Sequence, residues 1–318
     1  MSIETSRLVI VMPVYEDVEA SSRLFRELVA QLGRDVRVVV VDDGSVRRPL
    51  EIADLEAAGI AGHLLKLRRN VGHQRAIAIG LGFASEHVGP NARVIVMDSD
   101  GEDLPSTIPP LLEALEDARV DIVVAKRRGR VETLRFKLFY LLYRRLFGLL
   151  TGRSISFGNF MAMKPPAVKR LVAMQELSIH VAATVLASKL RIATRPLDRG
   201  PRYAGQSKMN FVGLALHGFK ALMIFAEDVL VRVGFACALI AALAVLGAAA
   251  AIILKLVGIS TPGWFSVALG ILILILLQTG ALTLMTLMLT GVVRGGNVAT
   301  AVSYHEFVEE IFETGRSA

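Results

Sequence analysis

The sequence predicts an α/β fold of the doubly wound type, followed by two membrane-crossing helices. Three observations carry this. Through residues 1–125, strongly apolar runs alternate with amphipathic stretches. Strands that are apolar on both faces and separated by helices belong to a parallel sheet covered on both sides. Polar residues gather where these runs end, the place where open α/β sheets bind ligands. Finally, between Gly234 and Val293 the only charged side chain is Lys255, an apolar length suited to a bilayer.

The elements follow in order. "RLVIVMPV" (7–14) reads as a buried strand, "VEASSRLFRELVAQL" (18–32) as a helix and "VRVVVVDDGS" (36–45) as a second buried strand. "HLLKL" (63–67) is the third strand, "HQRAIAIGLGFASEH" (73–87) a helix and "RVIVMDSD" (93–100) the fourth strand. A further apolar run covers 121–125. The pattern then changes to "KRRGRVETLRFKLFYLLYRRLFGLL", an aromatic-rich amphipathic helix on which Lys137, Arg144 and Arg145 share one side. Such a helix suits the bilayer interface, although a core helix with one solvated face has the same pattern. A second apolar helix, 211–225, leads toward the first span. No internal repeat, low-complexity segment or flexible linker separates these elements.

The chain has 318 residues, 53% of them hydrophobic, and a mean hydropathy of +0.53, more apolar than an ordinary soluble domain. The stretch 235–254 is long enough to cross a ~30 Å hydrocarbon core. A second crossing covers 265–293, after "GISTPGWFS", in which Trp264 reads as an interfacial anchor. The N-terminal segment breaks at Pro13 before reaching signal-peptide length, so the first domain is expected to stay where it is made. Lys and Arg crowd the residues before the first span and Arg294 follows the second. The positive-inside rule then predicts a hairpin in the plasma (inner) membrane with both termini cytoplasmic. The expected divisions are 1–228 for the cytoplasmic domain with its juxtamembrane helices, 229–294 for the two spans and 295–318 for a cytoplasmic tail.

The net charge of +7 is assigned to an anionic membrane surface rather than to nucleic acid, because the basic residues lie beside the spans and no nucleic-acid module is present. Cys237 is the only cysteine and falls within a span, which excludes a disulfide framework and a Cys-based metal site.

Four carboxylates, Asp98, Asp100, Glu102 and Asp103, lie within "DSDGED" at the end of a buried strand. Like charges that close repel unless a positive partner sits between them. Hard oxygen ligands on a tight turn suit Mg²⁺ or Mn²⁺, with phosphate oxygens completing the shell; taken alone, D-x-D is also a common solvated turn. "VVVVDDGS" is again an ordinary turn, or a carboxylate placed to accept hydrogen bonds from a nucleobase or ribose. "RYAGQSKMN" (202–210) carries an Arg and a Lys that can clamp phosphate, or can bind lipid headgroups beside the membrane.

Taken in order, "VIVMPVYED", "VVVVDDGS", "RRNVGHQRAIAIGLGFA", "VIVMDSDGEDLP" and "RYAGQSK", followed by two spans, resemble the family 2 glycosyltransferases of GT-A fold. The likeness covers roughly residues 5–293. Within that family they resemble the branch typified by dolichyl-phosphate mannose synthase and bacterial bactoprenol-phosphate glucosyltransferases. The resemblance implies a membrane-anchored inverting transferase that moves a sugar from a UDP- or GDP-linked donor to a polyprenyl phosphate. It implies donor binding by Pro13, Val14, Tyr15, Glu16, Asp42, Asp43, Arg69, Asn70 and Asp98. A divalent cation, Mg²⁺ or Mn²⁺, would be held by Asp98, Asp100 and Glu102, with Glu102 standing where many relatives have Gln. Arg127, Arg202, Ser207 and Lys208 would meet the acceptor phosphate, and Asp98, Asp100, Arg127, Arg202 and Lys208 would carry the chemistry. Homo-oligomerisation is left open.

One departure is clear: "ISFGNFMAM" (155–163) has Gly158-Asn159 where relatives often carry Gly-Asp. A hydroxyl acceptor needs a general base, whereas a lipid phosphate is already ionised, so the lost carboxylate fits a phosphate acceptor chemically while departing from the branch that uses one. The rival readings are transfer to a lipid hydroxyl, with Glu102 or Asp103 as base, and a partner that keeps the fold without turnover. Processive polysaccharide synthesis is disfavoured, since there is no Q-x-x-R-W. "GLGFAS" (80–85) is assigned to helix packing rather than to a dinucleotide site. His73 and His180 are assigned surface or packing roles, and Asn297-Val-Ala is no glycosylation site.

Overall fold

A computed structural model describes residues 3, 6–127, 134–203, 211–259, 263–296 and 303–315. In chain order the elements are β1 (Leu8–Val14), α1 (Val18–Leu32), β2 (Val36–Asp42), α2 (Ile52–Ala57), β3 (Ala61–Leu67), α3 (His73–His87), β4 (Arg93–Val96) and α4 (Ile108–Leu115). Then come β5 (Ile122–Arg127), α5 (Leu134–Thr151), β6 (Met161–Met163), α6 (Pro165–Val172), α7 (Val181–Ala187), β7 (Ile192–Leu197), α8 (Phe211–Ile224), α9 (Ala226–Leu256), α10 (Trp264–Gly296) and β8 (Val308–Glu313). The chain divides into two compact units. The first holds Met1–Phe139, Ile155–Ile224 and Thr300–Ala318, and the second holds Tyr140–Ser154 and Phe225–Ala299.

The first unit is built on one sheet of order β7-β5-β6-β4-β1-β2-β3-β8. β4, β1, β2 and β3 run parallel, as the apolar strands predict. Successive side chains of a strand point to opposite faces, so each of these strands feeds two cores. Val9, Val11, Val39, Val41 and Leu65 join α3 on one face. Ile10, Met12, Val38, Val40 and Leu64 join α1 and α4 on the other. β2 is buried along its whole length, which is why its sequence shows no alternation. Gly80 and Gly82 let α3 seat closely: a Cβ on Gly80 would lie 2.5 Å from Val11 Cγ1, and one on Gly82 would lie 3.1 Å from the ring of Tyr304. "GLGFAS" is a packing surface, as expected.

Two expectations are corrected. β4 stops at Val96 rather than running to Asp100, and β2 stops at Asp42 rather than Ser45, so the acidic residues lie on turns beyond the ladder. The sheet is mostly parallel, as expected, with the short strand β6 entering antiparallel between β4 and β5. The second correction concerns the tail expected over 295–318. It returns to the sheet, where β8 pairs antiparallel with β3. Tyr304 is buried, and its hydroxyl donates to Glu86 at 2.9 Å. Glu309 and Glu310 are exposed on this edge strand, charges of a kind that discourage further strand pairing. They also interrupt the apolar alternation, which is why the strand was not read from sequence.

In the second unit, α9 and α10 contain the stretches expected to be spans, and both are long and apolar enough to cross a membrane. On α5, Arg144 and Arg145 are exposed while Phe147 is buried edge-on against Phe225; the side chain of Lys137 lies outside the described residues.

In the first unit His180 caps α7, its Nδ1 accepting from Ala183 N at 3.2 Å. Its ring stacks on that of His217, with centroids 4.2 Å apart. Burial, then the charges of His217 and Lys220, pushes the His180 imidazole down to about 3. His217 is lowered by burial and by the charges of His73 and Lys220. A folded-state value below the unfolded one means that the unfolded chain binds more protons, so stability falls as pH drops below 6.5. The loss reaches about 1.4 kcal/mol per pH unit for each such imidazole. His180→Asn keeps a capping acceptor and removes one proton site. Thermal unfolding of the detergent-solubilised chain between about pH 7 and pH 5 is expected to show a flatter acid slope for this variant; an unchanged slope would contradict the assignment.

Candidate functional site

The loops at the carboxyl ends of β1, β2, β3 and β4 are joined by carboxylates that accept backbone N–H groups. Glu16 has a positive φ of 51°. Its carboxylate accepts from Val46, Arg47 and Arg48 at 2.8, 2.9 and 2.9 Å, which holds it below its ordinary value. Asp42 accepts from Ser45 N at 3.0 Å and Leu50 N at 3.1 Å. Asp43 accepts from Val71 N at 2.7 Å and Gly72 N at 3.0 Å, tying the end of β2 to the start of α3. Its burial raises it in spite of those bonds. Gly44, at φ +69°, lets the chain pass the Arg69–Asn70 peptide, where a Cβ would come within 2.5 Å. Pro13 and Val14 are buried, Tyr15 is 42% exposed, and Arg69 and Asn70 are exposed. The expected donor-binding residues therefore share one rim. Asp42, Asp43 and Glu16 also build it, a structural task that the sequence reading did not separate from binding.

Beside this rim, where strand order reverses between β1 and β4, lies the acidic turn. Gly101 takes φ +82°, and a Cβ there would meet the ring of Tyr203 at 2.3 Å. Asp100 Oδ1 accepts from Glu102 N at 2.9 Å, and Asp103 Oδ2 from Asp98 N at 3.1 Å, so the turn folds on its own carboxylates. The segment after β7 lies against it: Gly200 N donates to Glu102 O at 3.0 Å and Tyr203 N to Asp100 O at 2.9 Å. Tyr203 hydrogen-bonds Glu27 of α1, and Arg23 stacks on its ring at 4.0 Å. Two arginines of this segment supply the positive charge. Arg202 reaches Asp100 at 2.7 Å and Glu102 at 3.3 Å. Arg199 pairs with Glu102, with Asp103 at 3.3 Å and with Asp98 at 3.8 Å.

A histidine also borders the turn. His73 Nε2 is 3.2 Å from Asp98 Oδ1 and 3.1 Å from Asn159 Nδ2. Desolvation would lower this imidazole, but the charge of Asp98 and its hydrogen bond, followed by the charges of Asp100 and Asp43, raise it. Burial would raise Asp98, yet His73, Arg199 and Arg127 together hold it below its ordinary value. Asp100 is raised by desolvation and the charge of Asp98. Asp103, 3% exposed, is pushed up to about 8 by burial and then by Asp98. The turn thus divides its charge unequally, with Asp98 kept ionised.

Arg127 ends β5, where its charge acts on Asp98 and Asp103. Ser207 and Lys208 lie outside the described residues. Asp98, Asp100 and Glu102 are brought to one turn but turn toward arginines: among the described residues, no group of three or more His, Cys, Asp or Glu is spaced as a metal site. Their chemistry nevertheless fits a hard divalent cation. All are oxygen donors, and Asp98 Oδ1 is buried, with the His73 ring at 3.2 Å. Sequence reasoning missed three residues here. Arg199 stands three positions before Arg202 in "DRGPR", His73 opens α3 directly at the strand-end rim, and Tyr203 presents its ring to Gly101. The rim position of residue 73 was the available signal against a packing role for the histidine. Asn159, noted from sequence only as a lost carboxylate, turns out to face His73.

The family model "Glycosyl transferase family 2" matches residues 9–170, half of the chain. Among curated relatives, an uncharacterized glycosyltransferase of Synechocystis is 28% identical over 290 residues, 86% of each chain. The undecaprenyl-phosphate 4-deoxy-4-formamido-L-arabinose transferase of Edwardsiella ictaluri is 29% identical over 213 residues, 64% of this chain. The chain spans 63% of the length of that relative. Among solved structures, glucosyl-3-phosphoglycerate synthase from Mycobacterium tuberculosis, crystallised with Mn²⁺, UDP-glucose and phosphoglyceric acid, aligns with a TM-score of 0.51 at 16% identity. The alignment covers 72% of this chain and 80% of that one, a likeness of fold that agrees with a GT-A sheet.

Gly101→Ala adds a methyl group at a left-handed position and against Tyr203. Hydrogen exchange followed by mass spectrometry is expected to show about tenfold faster exchange in 198–203 with β1 and β2 unchanged. Unaltered exchange in that segment would contradict its anchoring on Gly101.

Proposed function

We propose, from the premise that the chain belongs to glycosyl transferase family 2, that this glycosyltransferase moves a sugar from a nucleotide-sugar donor to a polyprenyl phosphate with inversion. The observation that carries the reading is the acidic turn at the reversal of strand order, held against two arginines. A nucleotide sugar presents a diphosphate and a polar nucleoside. The rim of Tyr15, Glu16, Asp43, Arg69 and Asn70 offers the groups for the nucleoside, and Arg199 and Arg202 offer charge for the phosphates. Asp98, Asp100 and Glu102 would hold Mg²⁺ or Mn²⁺, which when bound neutralises the departing nucleotide diphosphate. Arg127 and Arg202, with Ser207 and Lys208, would orient the acceptor phosphate.

The acceptor class draws support from two directions. The relative in Edwardsiella is named for transfer to undecaprenyl phosphate. Within the site, the residue at position 159 that meets His73 is an asparagine, so this position supplies no base; an ionised lipid phosphate needs none, because it already carries a nucleophilic oxygen. A lipid acceptor also agrees with α9 and α10 as membrane crossings. The chain leaves the first unit before α9 and returns to it in β8, which pairs within the same sheet. An even number of crossings agrees with this, and the basic residues flanking the spans support a cytoplasmic side for both ends.

The test is donor-dependent labelling of lipid by the purified full chain, with UDP- and GDP-linked sugars, Mn²⁺ or chelator, and either undecaprenyl phosphate, diacylglycerol or ceramide. Label is expected in undecaprenyl phosphate alone, and Asp100→Asn is expected to lower the rate about a hundredfold or more. Label in diacylglycerol or ceramide would overturn the acceptor, and full activity in Asp100→Asn would overturn the assignment of the turn.

A further inference from the structure

The arginine that contacts most of the acidic turn is not the one the family motif supplies. Arg199 reaches three carboxylates: Glu102 by a close contact, Asp103 at 3.3 Å and Asp98 at 3.8 Å. It is mostly enclosed, with its side chain 22% exposed. Its neighbours fix it there, since Gly200 N bonds Glu102 O at 3.0 Å and Tyr203 N bonds Asp100 O at 2.9 Å. A Cβ on Gly200 would lie 2.5 Å from Leu104 Cδ2, so glycine permits this close approach of backbone to turn. Two of the carboxylates that Arg199 engages, Asp98 and Glu102, are the ones assigned above to a divalent cation.

We propose that Arg199 is a resident counter-ion of the acidic turn, which gives up Asp98 and Glu102 when a divalent cation binds and then turns to the nucleotide diphosphate. The proposal rests on the reading of Asp98, Asp100 and Glu102 as cation ligands. Two positive groups cannot both neutralise the same oxygen atoms at full strength, so guanidinium and cation compete. A partly buried guanidinium that keeps only Asp103 has lost two of its three carboxylate partners, which is unfavourable. A diphosphate supplies one, and Arg is suited to it by its fork of donors. Cation alone therefore binds weakly, nucleotide diphosphate strengthens it, and linkage makes the effect reciprocal. Part of the cooperation between metal and nucleotide then resides in this side chain rather than in direct contact between metal and phosphate.

The discriminating quantity is the affinity for the cation by itself. Mn²⁺ binding to the full chain in neutral detergent, followed by the electron-spin resonance of free Mn²⁺, is measured with and without UDP for wild type, Arg199→Gln and Arg199→Lys. Arg199→Gln is expected to bind Mn²⁺ alone about tenfold tighter than wild type and to lose a similar factor from the strengthening by UDP. Arg199→Lys, which keeps a charge, is expected to lie between the two. Circular dichroism matching wild type establishes that a variant is folded. Mn²⁺ binding to folded Arg199→Gln that is unchanged or weaker overturns the proposal. If Asp98→Asn with Asp100→Asn binds Mn²⁺ as wild type does, the cation site itself is misassigned, and the proposal falls for that separate reason.

Discussion

Four carboxylates at the end of one buried strand cannot stay together unless positive charge is brought to them, and much of the first unit is arranged to bring it. Asp98, Asp100, Glu102 and Asp103 come from one turn. Their partners come from far away in the chain: His73 from the start of α3, and Arg199 and Arg202 from the segment after β7. Desolvation strengthens each of these interactions and also makes any unpaired member costly. The pairing of Arg202 with Glu102 joins residues 100 positions apart.

The sheet makes such a meeting possible. Parallel strands with apolar residues on both faces put every strand end of one sense on the same rim, so residues distant in sequence converge without any one loop having to be long. Carboxylates then join the loops to one another. Asp43 fixes the start of α3, and hence the position of His73, through the N–H groups of Val71 and Gly72. Glu16 holds the loop after β2. Close packing enters at Gly101, where the absent side chain admits the ring of Tyr203 and with it the arginine segment.

What could be read from the sequence follows the range of the interactions. β1 to β4, the alternation with helices and the apolar lengths of α9 and α10 are periodic signals written locally, and they were legible. The acidic turn was legible as chemistry, and its need for a positive partner was legible as physics. The partner was not, because Arg199 is a single residue joined to the turn only by the fold. β8 escaped because a six-residue edge strand with exposed glutamates carries little apolar pattern, and its partner β3 lies far away in the chain. His73 looked like an isolated histidine because no ligand lies near it in sequence.

The central claim is that Arg199 and the acidic turn stabilise one another before any ligand arrives. It is tested most directly by a double-mutant cycle on Arg199→Gln and Glu102→Gln, with thermal unfolding measured in neutral detergent and chelator. The account expects the single changes to destabilise and the double change to cost less than their sum, with a coupling of roughly 1 kcal/mol or more. Additive effects would contradict it.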